Sequence, residues 1–329
     1  MTLTGIYAMD PARFDDVYGP EERAAVERYV TVPSPNLAAD RLPPDQLAAA
    51  QVLITGWGAP RLDAELLASA PRLELVLYGA GSVRHVVTAD SWERGVRVSA
   101  AGSVIADCVA EFTLAQVLFA LKHGWRYVLR NRAARAPVPR EAERGTAGSV
   151  VGLVSLGAAG RATAQLLGRH AVRVQAYDPY ADPSEAAALG VRLTGLDELF
   201  ATSDVVSLHT PLLPATRRMV DGRLLGSMKR DATLINTARG GLIDEEALAV
   251  VAARRPDLFF ALDVTDPEPP PAGSPLFSLE NIVVTPHLAG NLGPERRRLG
   301  RAMAEELARY ARGQRLRHEV TADRMEFAA

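Results

Sequence analysis

Residues 150–178 read VVGLVSLGAAGRATAQLLGRHAVRVQAYD, and this stretch decides the fold. Val150–Val154 is a short β-branched run suited to a strand buried on both faces. Gly157 and Gly160 follow in a turn. Ala162–Arg169 has helical composition, and Val172–Tyr177 makes a second strand closed by Asp178. Strand, glycine turn, helix, strand and acid come in the order of a dinucleotide-binding βαβ unit. The chemistry needs those residue types. Gly157 lets the backbone approach a pyrophosphate, and Gly160 lets helix and strand pack closely. The helix N-terminus offers free N–H groups and a positive dipole to the phosphates. Asp178, 18 residues beyond Gly160, accepts hydrogen bonds from ribose hydroxyls and repels a 2′-phosphate. Pro179 and Tyr180 come next, with no arginine to receive that phosphate, so NAD is favoured over NADP. The usual first glycine of the pattern is Ser155 here, and serine reaches positive φ less cheaply than glycine. Glycines that serve packing alone are the competing explanation, and the residues downstream argue against it.

The chain around this unit has 329 residues. Single cores stop growing near ~250–300 residues, so two domains are expected. A composition of 48% hydrophobic and 23% charged residues is that of an ordinary soluble enzyme. A net charge of −2 sets up no global field for nucleic acid or a membrane surface. The single cysteine, Cys108, excludes an internal disulfide and a cysteine-based metal cluster, and no metal is expected. The opening MTLTGIYAMD has no signal-peptide pattern, and no uninterrupted apolar run reaches membrane length. Cytoplasm is the expected compartment.

Residues 1–100 alternate strand-like runs (Gly5–Ala8, Tyr29–Val32, Val52–Thr55, Leu73–Tyr78, Val96–Ser99) with helical stretches (Pro20–Glu27, Leu62–Ala68), a small α/β layer. Two of its strand ends are glycine-rich, Gly56-Trp57-Gly58 and Gly79-Ala80-Gly81; successive amides there can form an anion nest or a plain turn. Asp107–Arg132 reads as one long helix, roughly 35–40 Å by its rise per residue. Arg126, Arg130, Arg132, Arg135, Arg140 and Arg144 make its end and the following arm basic, which suits a solvated surface or a subunit contact. Beyond the fingerprint come strands at Val205–Leu208, Thr233–Asn236, Phe259–Val264 and Ile282–Thr285, with helices including Thr216–Met228 and Glu245–Arg254, then a last helix over 294–313. Six strands with crossover helices make a doubly wound parallel sheet.

In such sheets ligands bind beyond the carboxyl ends of the strands. Arg239 follows Thr233–Asn236, Glu268 follows Phe259–Val264, and His287 follows Ile282–Thr285. Each alone fits an ordinary surface or packing role. Together, at neighbouring strand ends of one nucleotide-binding sheet, they favour catalysis. Oxidation of a 2-hydroxy acid uses this set. Arginine supplies a planar fork for carboxylate and C2 oxygen. Histidine takes the hydroxyl proton while hydride leaves. A carboxylate against His287 favours the protonated ring and orients it. Prolines 267, 269, 270, 271 and 275 stiffen the loop that carries Glu268.

These motifs resemble those of the D-isomer-specific 2-hydroxy acid dehydrogenases. The likeness is densest over about 150–291, in LHTPLLPATRRMV (208–220), MKRDATLINTARGGLIDEEAL (228–248), ALDVTDPEP (261–269) and TPHLAG (285–290). The resemblance implies two Rossmann-like domains: an NAD-binding domain over 103–290 and a smaller flavodoxin-like substrate domain from 1–102 plus 291–329. It implies that Arg239 binds and polarises the substrate, that Glu268 supports the histidine, and that His287 is the acid/base. Ser155, Gly157, Ala158, Ala159, Gly160, Asp178, His209, Thr210, Pro211, Thr216, Thr237, Ala238, Arg239, Asp263, His287 and Gly290 would line NAD, Asp263 through the nicotinamide carboxamide. Ala80 and Gly81 match the family's carboxylate nest, and Trp57 and Gly58 would complete the substrate contacts with Arg239 and His287. Val83 stands where the family often has Asp. The partner implied is a small 2-hydroxy or 2-keto acid, and the family habit is a homodimer through the long helix 107–132 and its arm. An NAD(H)-sensing binding protein, as in related corepressors, and a formate- or phosphite-type dehydrogenase are the alternatives.

Overall fold

The computed structural model describes residues 3–140 and 145–325, so Arg144 of the basic arm lies outside the described residues. The chain divides into two compact units, residues 1–105 with 291–329 and residues 106–290. Both are parallel α/β sheets.

In the first unit, β1 (Leu3–Ala8), β2 (Val30–Thr31), β3 (Val52–Thr55), β4 (Leu75–Tyr78) and β5 (Arg97–Ala100) run parallel in the order β5-β4-β3-β1-β2. β3 and β4 are buried at every position, as strands covered on both faces must be. One apolar layer gathers Ile6, Leu53, Val76 and Val98. The other gathers Tyr7, Ile54 and Leu77 with Met303 and Leu307 of the helix Arg297–Ala311.

In the second unit, β6 (Val150–Val154), β7 (Arg173–Tyr177), β8 (Val191–Leu193), β9 (Val205–Leu208), β10 (Thr233–Asn236), β11 (Phe259–Leu262) and β12 (Ile282–Val284) follow the order β12-β11-β10-β9-β6-β7-β8, all parallel. The order reverses at β6, which sits between β9 and β7, and that is where a doubly wound sheet binds its ligand. The chain then returns to the first unit, where β13 (Glu319–Val320) adds antiparallel to β5. Glu306, 1% exposed, fastens this return by accepting from Ser99 Oγ at 2.9 Å and from the amides of Arg317 and His318 at 3.0 Å.

Three expectations need correction. The single helix over 107–132 is two, Gly102–Ala120 and Gly124–Ala134. The break lies at His123, whose φ of +52° ends the first helix. The turn folds Trp125 back onto the helix it left, with its ring 5.2 Å from Phe119 and its Nε1 donating to Gln116 Oε1 at 2.8 Å. The helix expected over 216–228 is confined to Gly222–Ser227, because Thr216 spends its side chain in a turn: Oγ1 donates to the Pro211 carbonyl at 2.6 Å and accepts from the Leu213 amide at 2.8 Å. The second sheet has seven strands rather than six; β8 is only three residues at an edge, with one of them buried.

The helix Gly102–Ala120 is long and apolar enough, by length and composition, to cross a bilayer. A third of it is buried, and its Val117 and Ala120 pack into the core of the second unit.

Candidate active site

The three strand ends meet as adjacent neighbours, since β10, β11 and β12 lie side by side. Beyond β10, Asn236 clamps the next turn. Its Oδ1 accepts from the Ala238 amide at 3.0 Å, and its Nδ2 donates to the Arg239 carbonyl at 2.9 Å. Gly240 then passes so close to Thr265 that a Cβ would lie 2.0 Å from its carbonyl carbon, which leaves glycine as the one residue that fits. Arg239 is thereby fixed at the mouth of the strand. Surrounding protein lowers its pKa and the charge of Glu268 partly restores it, yet its side chain keeps a face open to solvent and stays a cation.

Beyond β11 and β12, His287 Nδ1 and Glu268 Oε1 lie 2.6 Å apart. His287 has a φ of +55°, a region that costs an L residue roughly 1–2 kcal/mol. Asp263 holds it there. The Asp263 carbonyl accepts from the His287 amide at 3.0 Å. Its carboxylate accepts from the Leu288 and Ala289 amides at 2.8 Å each and from Thr285 Oγ1 at 2.5 Å. This buried acid, 3% exposed, organises the histidine turn. The resemblance implies a contact from Asp263 to the nicotinamide carboxamide; no local signal marks it as the clamp of the histidine turn, because its partners lie 22–26 residues away.

At the fingerprint, Ser155 adopts a φ of +82°, the left-handed region where glycine is favoured. A Cβ on Gly160 would sit 2.2 Å from the Ser155 carbonyl oxygen, so the helix Ala158–Leu167 reaches its strand only through that glycine. Asp178 accepts from the Leu156 amide at 2.7 Å, tying strand end to turn.

Residues 114–289 match the D-isomer specific 2-hydroxyacid dehydrogenase, NAD binding domain. The chain belongs to that family. Among its relatives, the D-3-phosphoglycerate dehydrogenase of Mycobacterium bovis is 35% identical over 262 residues, 76% of this chain and 47% of that protein. The chain thus spans about half the length of the first curated relatives it matches. The glyoxylate reductase of Korarchaeum cryptofilum is 32% identical and covers 77% of each chain. Among solved structures, the TT0316 protein of Thermus thermophilus is 30% identical with a TM-score of 0.73, covering 97% of this chain and all of that one. A phosphoglycerate oxidoreductase from Rhizobium etli, 24% identical, shares the fold with a TM-score of 0.83 over 99% of this chain and 100% of its own.

The cofactor of this dehydrogenase-family chain is NAD, and the residues present fit it. Among the described residues no side chain caps the helix Ala158–Leu167, so its first-turn amides stay available to phosphate. Gly157 and Ala158 are exposed there, and among the described residues a Cβ on Gly157 would meet only Ser155 Oγ, at 3.9 Å. Thr210 and Thr237 are buried at the ends of β9 and β10; Thr210 Oγ1 donates to the Val154 carbonyl, and Thr237 Oγ1 bonds Thr113 Oγ1 at 3.1 Å. Pro211, Thr216 and Ala238 are partly exposed in the loops beyond those ends, and Ala159 and Gly290 are likewise half-buried.

His209 lies at the end of β9 with Nε2 3.1 Å from Ser207 Oγ. Its Nδ1 is buried with no hydrogen-bond partner among the described residues. Burial lowers its pKa to about 4, so it is neutral at pH 7. A depressed folded pKa means that the unfolded chain binds the proton first. Stability is therefore full above pH ~6.5 and falls as pH drops toward ~4, by about 3 kcal/mol from this group. Urea unfolding at pH 4.5 and 7.5 should show that difference shrinking in His209→Gln; equal pH dependence in both proteins would refute it.

The remaining predicted residues belong to the first unit. The amides of Ala80, Gly81 and Ser82 find no acceptor among the described residues, as an anion nest requires. Gly58 has a φ of +76° and packs on the Asp10 backbone, and the Trp57 carbonyl accepts from the Asp10 amide at 2.8 Å. Arg296 was not anticipated: its guanidinium lies 5.9 Å from the Trp57 ring centroid and pairs with Asp16 at 2.5 Å. The long sequence separation of the three hid that cluster.

Proposed function

We propose that this chain is an NAD-dependent dehydrogenase that interconverts a D-2-hydroxy acid and its 2-keto acid. The observation that carries the reading is the 2.6 Å contact between His287 Nδ1 and Glu268 Oε1, one strand end away from Arg239. With the Glu268 carboxylate accepting at Nδ1, the Nε2 of His287 is left to take the proton of the C2 hydroxyl. Arg239 binds the substrate carboxylate and polarises the C2 oxygen through its planar fork. Bound NAD supplies the acceptor for the hydride that leaves C2. In the reverse direction His287 returns the proton to the carbonyl oxygen. The family resemblance makes Ala80, Gly81, Trp57 and Gly58 further substrate contacts, and the amides of Ala80 and Gly81 find no acceptor among the described residues. Asp178 accepts from the ribose. Asp263, which keeps one open lone pair beyond its three donors, accepts from the carboxamide.

NADH consumption against glyoxylate, pyruvate, hydroxypyruvate, oxaloacetate and phenylpyruvate, with NADPH in parallel, tests this. Turnover of at least one acid with NADH preferred is the expected result. Silence across the panel from a protein that binds NADH would overturn the dehydrogenase reading in favour of a sensing role. A homodimer accompanies the proposal: Phe119 and Val128, on the two helices that replace the expected long one, are 40% and 46% exposed. Light scattering that returns a monomer mass would remove it.

A further inference from the structure

Asp178 is already engaged in this protein. Its Oδ2 accepts from Ser155 Oγ at 3.0 Å and from the Leu156 amide at 2.7 Å, and its Oδ1 accepts from the Tyr180 amide at 2.9 Å. A carboxylate offers about two lone-pair sites per oxygen. Oδ2 is therefore full, and Oδ1 has one site left. A ribose diol presents two donors. The two backbone amides grip one oxygen each, so they fix the orientation of the carboxylate without help from the serine. The Ser155 hydroxyl adds no restraint that the amides lack, and it takes the site that a second ribose hydroxyl needs. It does so from a φ of +82°, a conformation in which glycine, with no hydroxyl to offer, is the residue at ease.

We infer that Ser155 is a specificity-determining residue for the cofactor: its hydroxyl competes with the adenosine ribose for Asp178 and weakens NAD(H) binding. The inference rests on the reading of Asp178 as the ribose acceptor. It concerns affinity, and it carries a consequence for exchange. A ribose held by one free acceptor site leaves sooner than one held by two.

Fluorescence titration of NADH and NADPH into the full chain, with a thermal melt of each variant as a check of folding, tests it. Ser155→Ala removes the hydroxyl and keeps the backbone strain. It should bind NADH about three- to tenfold more tightly, the range of one modest hydrogen bond, with no gain for NADPH. Unchanged or weaker NADH binding would overturn the inference. So would an equal gain for NADPH, which would report a general loosening of the turn. Ser155→Gly removes hydroxyl and strain together; a gain confined to this variant would assign the effect to the backbone and also overturn it. Asp178→Asn separates the two failures. If NADH affinity does not respond to that change, the ribose reading of Asp178 is wrong, whatever Ser155 does.

Discussion

Replacing His287 with alanine should lower turnover by about three to four orders of magnitude, the range over which a positioned proton-transfer group acts. The NADH dissociation constant should rise no more than a few-fold, because His287 is one of many residues expected to line NAD and the fingerprint and the other strand-end contacts are untouched. The argument rests on how much structure is devoted to this one ring. His287 is held at a φ of +55°, against the preference of an L residue, by its amide bond to the Asp263 carbonyl. The Asp263 carboxylate ties down the next two amides and Thr285. Glu268 then sets the ring itself at 2.6 Å. Strain of this kind persists where the surroundings over-determine it, and such places are commonly functional. Glu268→Gln keeps a hydrogen-bond acceptor and loses the charge, so it should cost less, about ten- to a hundredfold. Steady-state kinetics on the best acid of the panel, beside NADH titration, reads both. Near-normal turnover in His287→Ala would end the proposed mechanism.

The second large effect is expected at Arg239. Alanine there should lower kcat/KM by about a thousandfold or more, since carboxylate binding and polarisation of the C2 oxygen disappear together. Lysine should recover only a small part, because a point charge cannot make two parallel hydrogen bonds to a carboxylate. The position is prepared by its neighbours: Asn236 holds the turn from both sides, and Gly240 fits against Thr265 with no space for a side chain. If Arg239→Lys proves as active as the wild type, the planar fork plays no part and the substrate is held in another way.

How much of this was legible beforehand follows from the range of the forces involved. β6, β9 and β10 keep the bounds read from their short runs of strand-forming residues, and they are buried at every position but Val150. β8 escaped notice because a three-residue edge strand exposes most of itself and so has no such run. The break at His123 is marked in the sequence by Gly124 alone, one glycine inside a helical pattern; the close approach of Gly124 to the Phe119 ring and the return of Trp125 onto it decide that turn. Thr216 read as helical and became a turn because its hydroxyl satisfied nearby backbone groups first. Arg239, Glu268 and His287 were legible as a set, each standing just past a strand of the same sheet.

By itself the sequence determined the α/β class, the fingerprint from Val150 to Asp178, and the three residue types that wait beyond β10, β11 and β12. These depend on local periodicity and on residue identity, which a linear chain states directly. Only the tertiary structure decided how the two acids are used. Asp178 meets Ser155 and Leu156 from 23 and 22 residues away, and Asp263 meets the Leu288 and Ala289 amides from 25 and 26. A carboxylate has few lone pairs, and which donors reach them depends on which strand ends the sheet brings side by side.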